Sequence, residues 1–338
     1  MASPETTFRP LAGLFVLGLL GCGVPGAPEP DPGRFDVQAI PVPVDPQHPE
    51  RVRVGSLEFR GGLELRGDDA RFGGLSGLSI SRDGRWLVAV TDQGHWVRLA
   101  LLHDDRERLV GIAEARLGAL ADLAGAPLQG KHLQDAESLA KSPGGDFLVA
   151  FERQHRLWRY DRGSGLSGIP KQVQAPADLG QAPSNAGLEA VTSLPDGRLL
   201  MLVEDWERDG HGVGWLGGPG AWAPVAYPLA GQYRPSGAAT LASGDVVVLE
   251  RYYTPATGPC SRLSRIPLAT IVPGAVLRGE PLAELSSPLS VDNFEGVDAR
   301  VAENGEELLY LVSDDNFSPL QRTLLLQFAL SPAPAPQD

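Results

Sequence analysis

The chain has 338 residues, a formal charge of −13, 41 glycines, 30 prolines and only 7% aromatic residues. So strong a negative charge repels phosphate backbones and excludes nucleic acid as an expected partner. Glycine and proline at this density supply turns throughout the chain and favour many short strands over long helices.

Residues 1–21 read as a signal peptide of lipoprotein type. The apolar run at 11–21 spans only about half a bilayer as a helix, which suits a signal segment better than a membrane span. Leu19-Leu20-Gly21-Cys22 has the form of a lipobox, so Cys22 is the expected lipidation site, although the preceding region carries a single basic residue, Arg9. Residues 22–50 hold eight prolines and read as a Pro-rich tether. Gly23, where Asp would favour the inner membrane, points to an outer-membrane address. The expected location is therefore the cell envelope, with membrane contact only through the lipid anchor. With Cys22 acylated, Cys260 has no partner for a disulfide.

Across residues 51–330 one pattern recurs five times. A polar residue is followed by a small one and an apolar one, then a turn glycine, then an apolar strand ending in an acid. The five copies start at Ser76, Glu137, Glu189, Ser236 and Glu295, with spacings of 61, 52, 47 and 59 residues. Their turns are Asp83-Gly84, Gly144-Gly145, Asp196-Gly197, Ser243-Gly244 and Asn304-Gly305, which suit tight connections between antiparallel strands. The second strands (WLVAV, FLVAF, LLMLV, VVVL, LLYLV) are apolar on both faces, as expected where sheets stack around an axis.

Each interval has room for about four strands of typical length. The fold class is therefore all-β, a β-propeller of four-stranded blades, with five blades expected. Six is the alternative, and it requires a further repeat that the sequence does not display. After Glu295 only three strands are legible, so Val52 to Leu65 is expected to supply the missing outer strand and close the ring. Residues 331–338 read as a flexible tail.

Equivalent residues of the innermost strands form a ring around the channel. Glu137, Glu189 and Glu295 occupy that ring with Ser76 and Ser236, and they are the candidate catalytic residues. The ends of the second strands add Asp92, Glu152, Glu204, Glu250 and Asp314 as candidate metal ligands. Carboxylates gathered this closely raise one another's pKa unless a cation compensates, and Ca²⁺, which takes six to eight oxygen ligands, is the expected cofactor. Lys131, Arg153, Arg234, Arg251 and Tyr252 lie beside these acids in sequence and are candidates for gripping a substrate. Acids at strand ends also bond turn N–H groups, and a purely structural role stands beside the functional one.

No G-x-S-x-G elbow, H-E-x-x-H or G-x-x-x-x-G-K-[ST] occurs, so serine-triad, zinc-protease and P-loop chemistry find no motif here.

Several segments recur in a characteristic order. They are Phe72-Gly73-Gly74-Leu75-Ser76-Gly77-Leu78, Asp135-Ala136-Glu137-Ser138, Phe151-Glu152-Arg153, Asn185-Ala186-Gly187-Leu188-Glu189-Ala190, Arg234-Pro235-Ser236-Gly237, Asn293-Phe294-Glu295-Gly296 and Ser313-Asp314-Asp315-Asn316-Phe317 with Gln321-Arg322-Thr323. Over about residues 55–329 the chain resembles the bacterial phytase-like family described as having esterase-like activity of phytase. The resemblance implies a hydrolytic activity and a distant kinship with calcium-dependent propeller phytases. The resulting expectation is a monomeric, metal-dependent phosphoester hydrolase acting on a small phosphorylated or ester substrate. In it, activated water attacks phosphorus and one carboxylate takes its proton. A non-catalytic binding or assembly module is the second reading, and a glycosidase with paired carboxylates the third.

Overall fold

The computed structural model describes Met1 and residues 33–330. The expected signal peptide, Cys22, the first part of the tether and the tail at 331–338 lie outside the described residues. The described chain is almost entirely antiparallel sheet, and its longest helix is the single turn Lys131–Gln134.

Five sheets form five blades around an axis. Blade 1 comprises Leu75–Ile80, Trp86–Thr91, His95–His103 and Leu109–Ala119, from the inside outwards. Blade 2 comprises Ala136–Lys141, Phe147–Phe151, Arg156–Tyr160 and Lys171–Val173. Blade 3 runs Leu188–Ser193, Leu199–Arg208, His211–Gly218 and Ala221–Tyr227, and blade 4 runs Arg234–Thr240, Val246–Thr254, Gly258–Ile266 and Glu280–Leu285. Blade 5 takes Asn293–Val301, Glu307–Asp314 and Thr323–Leu330 from the end of the domain and Leu57–Gly67 from its beginning. Leu57–Gly67 pairs antiparallel with Thr323–Leu330 and closes the ring, as the strand count requires.

The apolar second strands explain the packing. Five buried clusters each join one pair of neighbouring blades, with Leu87, Leu99 and Tyr310 between blades 1 and 5, and Val149, Phe151 and Val90 between blades 1 and 2. The five turn glycines (84, 145, 197, 244 and 305) have φ between +70° and +93°, a region where a side chain is strained. The small residue after each ring position has a different cause, the close approach of adjacent inner strands. A Cβ on Gly77 would lie 2.4 Å from the Leu139 nitrogen, and one on Gly237 would lie 2.7 Å from the Glu295 carbonyl oxygen.

The tether is shorter than the sequence implies. Arg34–Phe35 pairs with the outer strand of blade 1, and Val37–Pro41 pairs with the outer strand of blade 5. Phe35 and Val44 are buried in the inter-blade clusters, and the Ser290 hydroxyl donates to the Pro43 carbonyl. Proline is compatible with such an edge position because an edge strand need not offer every N–H to a ladder. Cys260 is a buried free thiol.

Candidate functional site at the acidic mouth

Every blade has the same irregularity where its inner strand begins. In blade 2, Ala136 pairs with Phe151 and Ser138 with Ala150, which leaves Glu137 without a partner. The same shift leaves out Ser76, Glu189, Ser236 and Glu295 in the other four blades. A bulged residue leaves the ladder and re-aims its side chain. The five positions recognised by repeat are therefore the five bulged positions, and all five side chains are buried.

The second tier needs one correction. In each blade the residue just before the bulge pairs with one residue of the second strand, and the residue after that partner is Asp92 in blade 1, Glu152 in blade 2, Glu204 in blade 3 and Asp314 in blade 5. In blade 4 Glu250 is itself paired, with Pro235, so the equivalent position is Arg251. Glu250 faces away from this tier and accepts hydrogen bonds from Arg262 (Nε 2.8 Å, Nη2 2.6 Å) and the Ser264 hydroxyl (3.2 Å). It is not a candidate metal ligand. Counting would have found this: Glu137 to Glu152 and Glu189 to Glu204 are each 15 residues apart, and Ser236 plus 15 is Arg251.

Arg251 Nη2 lies 3.0 Å from Glu204 Oε1 and 3.2 Å from Glu295 Oε1. Its Nε is buried and donates to nothing. Burial alone would lower its pKa, but Glu295, Glu204, Glu189 and Glu137 outweigh that and keep the guanidinium charged. The Asn293 side-chain amide donates to Glu295 (2.8 Å).

On the blade 2 side, Lys131 Nζ bridges Asp92 (2.7 Å) and Asp135 (2.5 Å). Arg153 Nε also donates to Asp135, and its Nη1 donates to Asn185 (3.1 Å). The buried carboxylates of Asp135, Glu137 and Glu152 each bring an oxygen within 4.8 Å of the other two. Glu152 accepts from the Gly187 N–H (3.0 Å). The buried Glu189 Oε2 has no hydrogen-bond partner.

Burial raises the pKa of Glu137, Glu189 and Asp314 well above the carboxylate range, and neighbouring acids raise them further. Glu152 is pushed up to about 7, first by burial and then by the Asp135 charge. Glu295 is raised less, because Arg251 opposes the burial. Such displaced carboxyls are a mark of functional sites as well as of strain. An all-oxygen donor set with unsatisfied buried valence fits a hard divalent cation such as Ca²⁺.

Two expected substrate contacts lie elsewhere. Arg234 is held at the rim by Asp205 (2.7 Å) and Glu207 (3.4 Å). Tyr252 packs edge-on against Tyr233, with ring centroids 4.6 Å apart, and its hydroxyl is engaged by Cys260. It follows Arg251 in an extended strand and so takes the opposite face. Asp135 is the residue that sequence reasoning passed over, although Asp135-x-Glu137 and Asn293-x-Glu295 share a spacing that signals it.

The fold and this mouth define a five-bladed propeller with a buried ring of carboxylates. The profile of the phytase-like family, described as esterase-like activity of phytase, matches residues 70–317, and the chain belongs to that family. No curated protein matches the sequence. Similar solved structures include the PQQ-bound aldose sugar dehydrogenase of Streptomyces coelicolor, with 14% identity, 88% of this chain and 99% of that chain covered, and a TM-score of 0.40. Another is a catalytically inactive virginiamycin B lyase from Staphylococcus aureus, with 11% identity, 86% and 99% covered, and a TM-score of 0.39. A third, a protein of unknown function from Dyadobacter fermentans, shows 12% identity, 88% and 95% coverage and a TM-score of 0.41.

Proposed function

We propose that the acidic mouth hydrolyses a small phosphoric ester with the help of a divalent cation. The observation carrying this reading is the buried, unpartnered Glu189 Oε2, in the same mouth as the Asp135, Glu137 and Glu152 cluster and the open Nε of Arg251. Asp135, Glu137 and Glu152 would hold the cation. When bound, it supplies positive charge that neutralises the acids and polarises a phosphoryl oxygen.

The protein's own groups divide the remaining work. Arg251 Nε donates to a phosphoryl oxygen and orients the ester. Burial and the neighbouring acids hold the Glu189 pKa well above the usual range; in the ionised form that added positive charge in the mouth would favour, Glu189 takes a proton from the attacking water as the new P–O bond forms. Glu152 is committed to the cation, so the departing oxygen takes its proton from solvent water as the ester P–O bond breaks. Lys131 and Arg153 hold Asp135 in place rather than reaching substrate.

The test is phosphate release from phytate and from p-nitrophenyl phosphate, with and without chelator. Release that chelator and Glu189→Gln both abolish supports the reading. Release unchanged by either overturns it. One observation favours the non-catalytic module instead: Lys131, Arg153 and Arg251 are each already engaged by carboxylates. Absence of turnover on phosphoric and carboxylic esters, with calcium still raising Tm, would select that reading.

For location, we propose a lipid-anchored envelope protein tethered through Cys22. Cys22→Ser should move it from the membrane fraction to the soluble fraction.

A further inference from the structure

A cavity of about 660 Å³ lies at the opposite mouth, where the inner strands end. Its lining draws on all five blades, through Ile80, Lys141, Thr192, Thr240 and Asp298 at or near those strand ends. This volume falls in the range of small-molecule sites.

Its electrostatics are the reverse of the acidic mouth. Arg82, Lys141 and Arg162 line it, and none of them forms an ion pair among the described residues. The Arg162 guanidinium donates to the Gly144 carbonyl (3.4 Å) while its backbone N–H donates to Asp146 (3.1 Å), and the Lys141 ammonium stands 5.6 Å from the Phe147 ring centroid. The single acid in the lining, Asp298, has both oxygens committed, accepting from the Ile80 N–H (2.7 Å) and the Ala299 N–H (2.8 Å). Burial lifts its pKa to about 6, which weakens its negative charge in mildly acid solution. The Thr192 and Thr240 hydroxyls bond each other across the cavity wall (2.8 Å). The Ser193 hydroxyl beside them is buried without a partner, in a residue only 9% exposed.

Three unpaired cations and a group of hydroxyls around one cavity are out of keeping with a chain of net charge −13. Unpaired guanidinium and ammonium groups hold oxyanions best where no carboxylate competes. We propose that this mouth is a second ligand site, for a small oxyanion of the phosphate class carrying two or more negative charges. It is independent of the chemistry proposed for the acidic mouth.

The probe is pyrophosphate, titrated calorimetrically into the full chain in the presence of chelator, which removes cation-dependent binding at the acidic mouth. Saturable binding is expected, unchanged in Glu189→Gln and weakened at least tenfold in the double variant Arg82→Glu, Lys141→Glu. Arg162→Ala, at an exposed position, provides a milder variant expected to weaken binding severalfold, with thermal unfolding checking that each variant folds. Three outcomes would overturn the proposal: no saturable binding to the wild type, unchanged binding in the double variant, or loss of binding in Glu189→Gln. Failure of the hydrolase reading leaves all of these outcomes unaffected.

Discussion

Blade 2 carries Glu137 at its bulge and Glu152 just after the partner of the residue before the bulge, whereas blade 4 carries Ser236 and Arg251 at the same two places. The backbone device is identical and the charge is opposite. Arg251 reaches from blade 4 to Glu204 of blade 3 and Glu295 of blade 5, so these two acids are compensated internally. Glu137 and Glu189 receive no such contact, and burial raises their pKa values well above the carboxylate range, as it does that of Asp314. The propeller repeat fixes where side chains point, and one substitution of sign within it leaves the uncompensated acidity on Glu137 and Glu189 of blades 2 and 3 and on Asp314 of blade 5.

The largest expected effect probes the uncompensated side. Glu189→Gln should lower phosphate release by about 10²–10⁴-fold, the range of a lost general base. It should leave Tm unchanged or raised, since it replaces a buried carboxyl whose ionised form burial disfavours and whose Oε2 has no hydrogen-bond partner. A lowered Tm with full activity would reassign Glu189 to structure. On the compensated side, Arg251→Ala strands two carboxylates and should cost about 3–5 kcal/mol in urea unfolding. A cost near zero would break the comparison between the blades.

Glu250→Gln tests the corrected register of blade 4. It weakens the paired bonds from Arg262 and should cost about 2 kcal/mol, with activity unaltered because the residue faces away from the channel tier. The gentlest test is pH. Glu152 has a folded pKa of about 7, above its ordinary 4.5. Its contribution to stability is therefore complete below about pH 4.5 and is lost as pH rises through 7, with a slope of at most roughly 1.4 kcal/mol per pH unit. Millimolar Ca²⁺ should flatten that decline, and chelator should restore it. A decline that calcium does not alter would argue against a cation in the blade 2 cluster.

Much of this was legible in the residues. The repeat set by Ser76, Glu137, Glu189, Ser236 and Glu295 gave the blade count and the inner ring, because a bulge and a tight turn constrain residue type in every copy. The strand that closes blade 5 was legible from a deficit, since the last copy is one strand short. The assignment of Glu250 was legible only by counting from Ser236, because an acid at the end of an apolar run looks the same whichever face it takes. Residues 34–44 read as tether because proline marks extended chain, and extended chain serves equally as an edge strand. Tyr252 was misplaced by the same alternation that put Arg251 in the channel. The basic mouth was invisible, since Arg82, Lys141 and Arg162 are scattered in sequence and meet only where strands end.

The paired segments at Arg34–Phe35 and Val37–Pro41 lie one after the other on blades 1 and 5, the two sides of the closure. A pull on the chain at Gly33 peels the first pair of residues from blade 1 and then the five from blade 5. Buried Val44 and the pairing of Arg53–Val54 must then give way before tension reaches Leu57–Gly67, the strand that completes the ring. The N-terminal segment is thus placed in series ahead of the seam, so a pull from that end must undo it before it can open the propeller.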